Sequence, residues 1–141
     1  MALTHLWTGS EQYLCDPELA QAFHMARVLG MPLLIEGEPG TGKTELPLQF
    51  AKAEDLALFI FPVGSKSTVD QFVARFDHVK YLRDSQVEVL NAQREEKGLE
   101  PLKSGGRQTD QLDDYVQLGP GAQAYSTPNS VLLIDEIDKA P

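Results

Sequence analysis

The chain has 141 residues, with 12 basic against 21 acidic side chains, a net charge of −9 and a pI near 4.7. That balance excludes a general electrostatic attraction to nucleic acid or to an anionic membrane surface, although a local basic patch stays compatible with it. The single cysteine, Cys15, has no internal disulfide partner, which fits a reducing compartment. No apolar run approaches the roughly 18–20 residues of a membrane span, the N-terminus lacks a basic-then-apolar secretory pattern, and a cytoplasmic location is expected.

In chain order, Met1 to Leu14 is a lead-in carrying Trp7 and Tyr13. Beside a nucleotide such aromatics would pack against a base; as plain anchors they would hold the lead-in on the domain surface. Asp16 is a good N-cap and Pro17 suits a first helical position. Leu19, Ala22, Phe23, Ala26 and Leu29 then recur at helical spacing, and Gly30 is placed to end the helix. His24 lies beside this stripe and reads as structural, because no second ligand is spaced to share a metal with it.

Met31-Pro32-Leu33-Leu34-Ile35 predicts a buried parallel strand, and Glu45 to Ala53 a helix. Between them, Gly37-Glu38-Pro39-Gly40-Thr41-Gly42-Lys43-Thr44 fits G-x-x-x-x-G-K-[ST], the phosphate-binding loop. Its glycines let the main chain approach a phosphate. The loop N–H groups and the following helix N-terminus favour an anion. Lys43 would add a cation near the β- and γ-phosphates, and the Thr44 hydroxyl would ligate Mg²⁺. Pro47 is unexpected about one turn into the helix, where a proline removes a donor and crowds the preceding turn; it is tolerated if the first turn is already irregular, and otherwise the helix is weakened or kinked.

Leu56 to Phe61 predicts a second buried strand, ended by Pro62-Val63-Gly64. Thr68-Val69-Asp70-Gln71 has capping-box form, and Val69, Phe72, Val73, Phe76 and Val79 predict a helix over that stretch. A further helix is predicted from about Ser85 to Lys97. Arg75, His78, Lys80 and Arg83 fit either a surface for a partner or nucleic acid or, with acids interleaved and favoured for that reason, a solvated face. Gly98 to Asp114, centred on Lys103-Ser104-Gly105-Gly106-Arg107, reads as a surface loop or insertion without recognisable chemistry. Tyr115 to Pro120 predicts an extended piece entering a turn, and Gly121 to Tyr125 one helical turn.

Ser130-Val131-Leu132-Leu133-Ile134 predicts another core strand with Asp135-Glu136 at its carboxyl end, the edge where parallel α/β sheets bind ligands. Alone, that pair reads equally as a solvated acidic turn. Together with Gly37–Thr44 it acquires defined roles: Asp135 holds Mg²⁺ through a water, and Glu136 orients and deprotonates the attacking water.

Taken together, Pro32 to Leu46, Gly119-Pro120 and Val131 to Ala140 resemble the AAA+ ATPases, and within them the MoxR-type and related dynein-like group. The middle of the chain, Lys66 to Gly119, matches loosely, and Pro47 stands where that family has a helix former. The resemblance implies an α/β P-loop NTPase with a parallel sheet sandwiched by helices, bound ATP and Mg²⁺, and a catalytic set of Lys43 and Glu136. It also implies a homo-oligomeric ring that remodels protein clients or inserts metals into them, often with a von Willebrand factor A-type partner. Residues 1–141 are expected to form one domain, the front portion of an AAA+ core without its sensor strand, arginine finger and lid. Two readings therefore stand: an ATP hydrolase coupled to protein remodelling, and a non-catalytic nucleotide-binding or interaction fragment. A GTP switch is disfavoured by the lack of an Asn-Lys-x-Asp motif, with base preference left open.

Overall fold

In the computed structural model, which describes residues 6–102 and 109–141, the chain runs β1 (Gly9–Ser10), β2 (Tyr13–Leu14), α1 (Pro17–Leu29), α2 (Glu45–Ala53), β3 (Ala57–Pro62), α3 (Val69–Phe72), β4 (Ala74–Phe76), α4 (His78–Glu96), β5 (Val116–Leu118), α5 (Pro120–Ser126) and β6 (Ser130–Asp135), with 3-10 turns at Leu112–Tyr115 and Ile137–Lys139. Two compact units emerge. One is the chain up to Ser67 together with Gln123–Pro141, and the other is Thr68–Ala122. The loop centre read at Lys103–Arg107 lies outside the described residues.

In the first unit, α1 starts and stops where its capping residues dictate. The Asp16 carboxylate accepts from the backbone N–H groups of Glu18 and Leu19, and Gly30 closes the helix in the left-handed region at φ 64°. β3 and β6 pair in parallel over their full length, Ala57 opposite Ser130 through Pro62 opposite Asp135. Parallel strands need a long crossover, and here more than sixty residues separate them in sequence. This pair is the parallel sheet among the described residues, narrower than a sheet sandwiched by helices implies.

The core of this unit is aromatic and sits under α2. Trp7, Leu46 and Phe50 are buried, and Tyr13, Cys15, Leu19, Phe23, Ile35, Leu56 and Val131 pack around them. Trp7 and Phe23 both meet Phe50 edge-on, at centroid separations of 5.6 and 4.5 Å. Such geometries add about 0.5–1.5 kcal/mol beyond area burial. The Arg27 guanidinium lies 5.3 Å from the Phe50 ring centroid and pairs with Glu54 at 3.2 Å, which ties α1 to the end of α2.

Two predicted features differ here. Met31–Ile35 forms no strand, and Met31 and Leu34 are exposed. A strand exists only where a neighbour takes its backbone donors and acceptors, and among the described residues no strand pairs with this segment. Ile35 still packs on the core, so the segment delivers the chain to the loop without joining the sheet. Pro47 does not interrupt α2, which runs from Glu45 to Ala53. As the third helical residue, Pro47 lies in the first turn, where an N–H has no intrahelical acceptor to lose. Its ring is buried.

In the second unit, the capping box at Thr68 forms as expected. Thr68 Oγ1 accepts from Gln71 N, and Gln71 Oε1 accepts from Thr68 N. The predicted helix over Val69–Val79 does not continue. It stops after Phe72, Ala74–Phe76 becomes β4, and α4 begins at His78, well before Ser85. β4 pairs antiparallel with β5, Ala74 opposite Leu118 and Phe76 opposite Val116. Asp77 then caps α4 through Lys80 N at 3.0 Å. Arg75 is engaged across the ladder: its Nε and Nη2 donate to Gln117 Oε1 at 3.0 and 2.9 Å.

The second unit closes on Tyr115, which is fully buried and meets Tyr81 edge-on at 5.3 Å. Its hydroxyl donates to the buried Asp84 carboxylate at 3.1 Å. Gly119 is required by close approach: a Cβ there would lie 2.4 Å from the Gln71 carbonyl oxygen. No helix of the described residues is long and apolar enough to cross a membrane.

Candidate nucleotide site

The predicted phosphate loop lies between Ile35, anchored on the core, and α2, whose Leu46 and Phe50 fill that core. Both ends are therefore held by buried side chains while residues 36–41 between them are exposed. Gly40 and Gly42 both sit at φ 83°, a backbone conformation that side chains resist, so the loop's turn depends on these two glycines. Thr41 Oγ1 donates to the Glu38 carbonyl at 2.8 Å and closes the loop on itself. Lys43 Nζ donates to the carbonyls of Gly37 and Glu38, both at 2.7 Å. The lysine predicted near the β- and γ-phosphates is thus folded back on the rim of its own loop.

At the carboxyl end of β6, Asp135 faces Thr44. The Thr44 hydroxyl is 3.4 and 3.2 Å from the two Asp135 carboxylate oxygens, across 91 residues of sequence. A hydroxyl and a carboxylate are hard oxygen donors, the kind Mg²⁺ takes from protein when phosphates and waters complete its octahedron. The two residues fit that ion. No group of three or more His, Cys, Asp or Glu able to hold a metal occurs among the described residues, and His24 is in no such group.

Glu136 follows in the left-handed region at φ 56°, with its backbone N–H donating to Asp135 Oδ1 at 3.0 Å. A non-glycine residue there costs of order 1 kcal/mol and persists only when its surroundings hold it. Its carboxylate, about half exposed, accepts from Lys139 Nζ at 2.5 Å. Asp135 thus binds the loop through Thr44 and the backbone of Glu136 at once, joining the two acidic residues to the predicted phosphate site.

Sequence reasoning left two neighbours of the site unidentified. The β1–β2 hairpin lies along α2: Ser10 Oγ donates to Gln49 Oε1 at 3.0 Å, and Gln49 Nε2 donates to Glu45 Oε1 at 2.7 Å. The hairpin carries Tyr13 against the loop, where a Cβ on Gly42 would lie 3.2 Å from Tyr13 Cε2. Trp7 stacks on Tyr13 at 6.1 Å with an interplanar angle of 12°. Trp7 thus sits in the core, and Tyr13 lies between core and loop. Burial, reinforced by Cys15 and Glu45, pushes the Tyr13 phenol above its ordinary value, and burial together with Asp16 raises the Cys15 thiol. The hairpin's Glu11-Gln12 turn carries no glycine or asparagine, so no turn signal announces it. The second neighbour is Lys139, whose partner only the fold of the 3-10 turn reveals.

A family model described as AAA domain (dynein-related subfamily) matches residues 32–141. No curated protein and no solved structure matches the chain.

Proposed function

The chain belongs to the dynein-related subfamily of AAA domains, nucleotide-binding modules of ATPase type, and we propose that it binds Mg-ATP and hydrolyses it to drive remodelling of a protein client. The observation that carries this reading is the Thr44–Asp135 contact, which brings the end of the glycine loop to the carboxyl end of β6. Residues Gly37 to Thr44 would cradle the phosphates with backbone N–H groups, and Lys43 would exchange its two loop carbonyls for phosphate oxygens. Thr44 and Asp135 would hold Mg²⁺, which when bound neutralises charge on the β- and γ-phosphates.

Glu136 would take a proton from a water whose oxygen forms the new bond to the γ-phosphorus. The bond from that phosphorus to the bridging oxygen breaks, and ADP leaves with its electron pair. The finer assignment follows from resemblance: a MoxR-type machine, ring-forming and cytoplasmic, working with a von Willebrand factor A-type partner on protein clients or their metal centres.

A second reading is nucleotide binding without turnover: the loop, Thr44 and Asp135 serve binding, whereas turnover also needs Glu136, whose carboxylate is engaged by Lys139. Titration with a fluorescent ATP analogue and a phosphate-release assay on the same chain separate the two. Saturable Mg-dependent binding with turnover supports hydrolysis, binding with no turnover above background supports the second reading, and absence of binding sinks both.

A further inference from the structure

The short turn after β6 carries a contact that the proposed chemistry has not used. Glu136 is the N-cap of the 3-10 turn Ile137–Lys139, and Lys139 N donates to the Glu136 carbonyl at 2.9 Å. The turn brings Lys139 back to Glu136, three residues before it. Its ammonium meets Oε1 at 2.5 Å, while Oε2 has no protein partner among the described residues. Both side chains are about half exposed, so water reaches the free oxygen. The backbone beneath is fixed by the left-handed conformation of Glu136 and by its N–H bond to Asp135 Oδ1.

We propose that Lys139 is a positioning residue for Glu136, holding one carboxylate oxygen so that the other is presented to the attacking water. This rests on the reading of Glu136 as the base. A glutamate has three side-chain torsions, and a free one at an exposed turn spreads its carboxylate over many positions. A base acts only within hydrogen-bond reach of the proton it takes, and misplacement by about 1 Å costs rate. Backbone fixation settles where Cβ lies, and the ammonium biases the carboxylate beyond it. Hydrogen bonding to Glu136, with further attraction from Asp138 and Asp135, raises the Lys139 pKa. An exposed i,i+3 pair contributes little to folding, so Lys139 can be changed without unfolding the chain.

The test uses the full chain with Lys139→Met, Lys139→Arg and Glu136→Gln, measuring steady-state Mg-ATP hydrolysis and the side-chain carboxyl ¹³C resonance of Glu136 without nucleotide. Lys139→Met is expected to lower kcat about 3- to 10-fold with KM unchanged, the pattern of an interaction needed after substrate is bound. Lys139→Arg should recover most of the loss, because a guanidinium can hold the same oxygen. The Glu136 resonance should move in Lys139→Met. Wild-type kcat and an unmoved resonance in Lys139→Met, with Glu136→Gln inactive, would overturn the positioning role and leave the base intact. Unimpaired turnover in Glu136→Gln would overturn the base assignment and the positioning role with it. A wild-type chain that binds but does not hydrolyse Mg-ATP would overturn both roles in favour of binding alone.

Discussion

Thr44 and Asp135 lie 91 residues apart in the chain and meet with the Thr44 hydroxyl 3.2 Å from one carboxylate oxygen and 3.4 Å from the other. The contact brings the end of the glycine loop to the end of β6, the juxtaposition that the proposed shared Mg²⁺ would need. Asp135→Asn keeps the shape and removes the charge. It is expected to weaken Mg-ATP binding and to raise the Mg²⁺ concentration needed for half-maximal binding, by roughly tenfold for a lost charged contact. Isothermal titration over a range of Mg²⁺ concentrations measures both, and an unchanged Mg²⁺ requirement would remove Asp135 from the metal site.

Lys43→Ala should abolish most nucleotide affinity, since the ammonium is the counter-charge nearest the phosphates in such loops. The same substitution also takes away the two hydrogen bonds to the Gly37 and Glu38 carbonyls. Thermal unfolding without nucleotide therefore belongs beside the titration. A melting temperature close to wild type with lost affinity assigns the lysine to the ligand. A large fall in melting temperature with affinity retained would make it a strut of the loop.

Glu136→Gln preserves the volume and the Lys139 contact through its amide oxygen, and removes the base. Hydrolysis should slow by about 10²–10⁴-fold while binding persists. Single-turnover phosphate release under saturating Mg-ATP is the direct readout. A variant as fast as wild type would mean that another group activates the water.

The features legible in sequence are those whose causes are local. Asp16, Pro17 and Gly30 set α1 within their own turns, and Thr68 with Gln71 closes its capping box across three residues. The apolar runs behind β3 and β6 and the glycine pattern of Gly37–Thr44 are also readable in place. What failed depended on distant partners. Val69, Phe72, Val73 and Phe76 satisfy helical spacing, yet Ala74–Phe76 is taken into a ladder by Val116–Leu118, some forty residues on. Met31–Ile35 has the composition of a strand and joins no ladder among the described residues. Tyr13 reaches Gly42 only through a hairpin without a turn signature. At the site, the identities of Lys43, Thr44, Asp135 and Glu136 were legible as residue types in a pattern. The Lys139–Glu136 pair was not, because nothing in Asp-Glu-Ile-Asp-Lys says that the turn is 3-10.

Phe50 is 3% exposed and is touched edge-on by Trp7 and Phe23, with Arg27 over its ring. Phe50→Ala leaves a cavity lined by rings that cannot all collapse into it, and a loss of about 3–5 kcal/mol is expected. α2 carries both Phe50 and the end of the loop, so nucleotide affinity should fall with stability. Urea unfolding followed by Trp7 fluorescence measures the first and ATP-analogue titration the second. A loss below about 1 kcal/mol would show that this cluster is not the core.

Gly40 and Gly42 share φ 83° and differ in surroundings: a Cβ on Gly40 meets nothing within 4 Å, whereas one on Gly42 comes to 3.2 Å from Tyr13 Cε2. Gly40→Ala therefore reports backbone strain alone, about 1–2 kcal/mol for an L-residue held at left-handed φ. Gly42→Ala adds the crowding of a ring that Trp7 stacks against and that has little room to retreat. The expected order of melting temperatures is wild type, then Gly40→Ala, then Gly42→Ala. The Tyr13 contact can be isolated by a double-mutant cycle. Tyr13→Ala costs stability by itself, because it opens the stack beside the core. In that background the penalty of Gly42→Ala should shrink to about that of Gly40→Ala, since the ring is gone and only the φ strain remains. Nucleotide affinity should follow the same order, because the loop must hold its turn to present its N–H groups. An equal Gly42→Ala penalty with and without Tyr13 would show that the ring does not rest on the loop, and that the hairpin reaches α2 without touching the phosphate site.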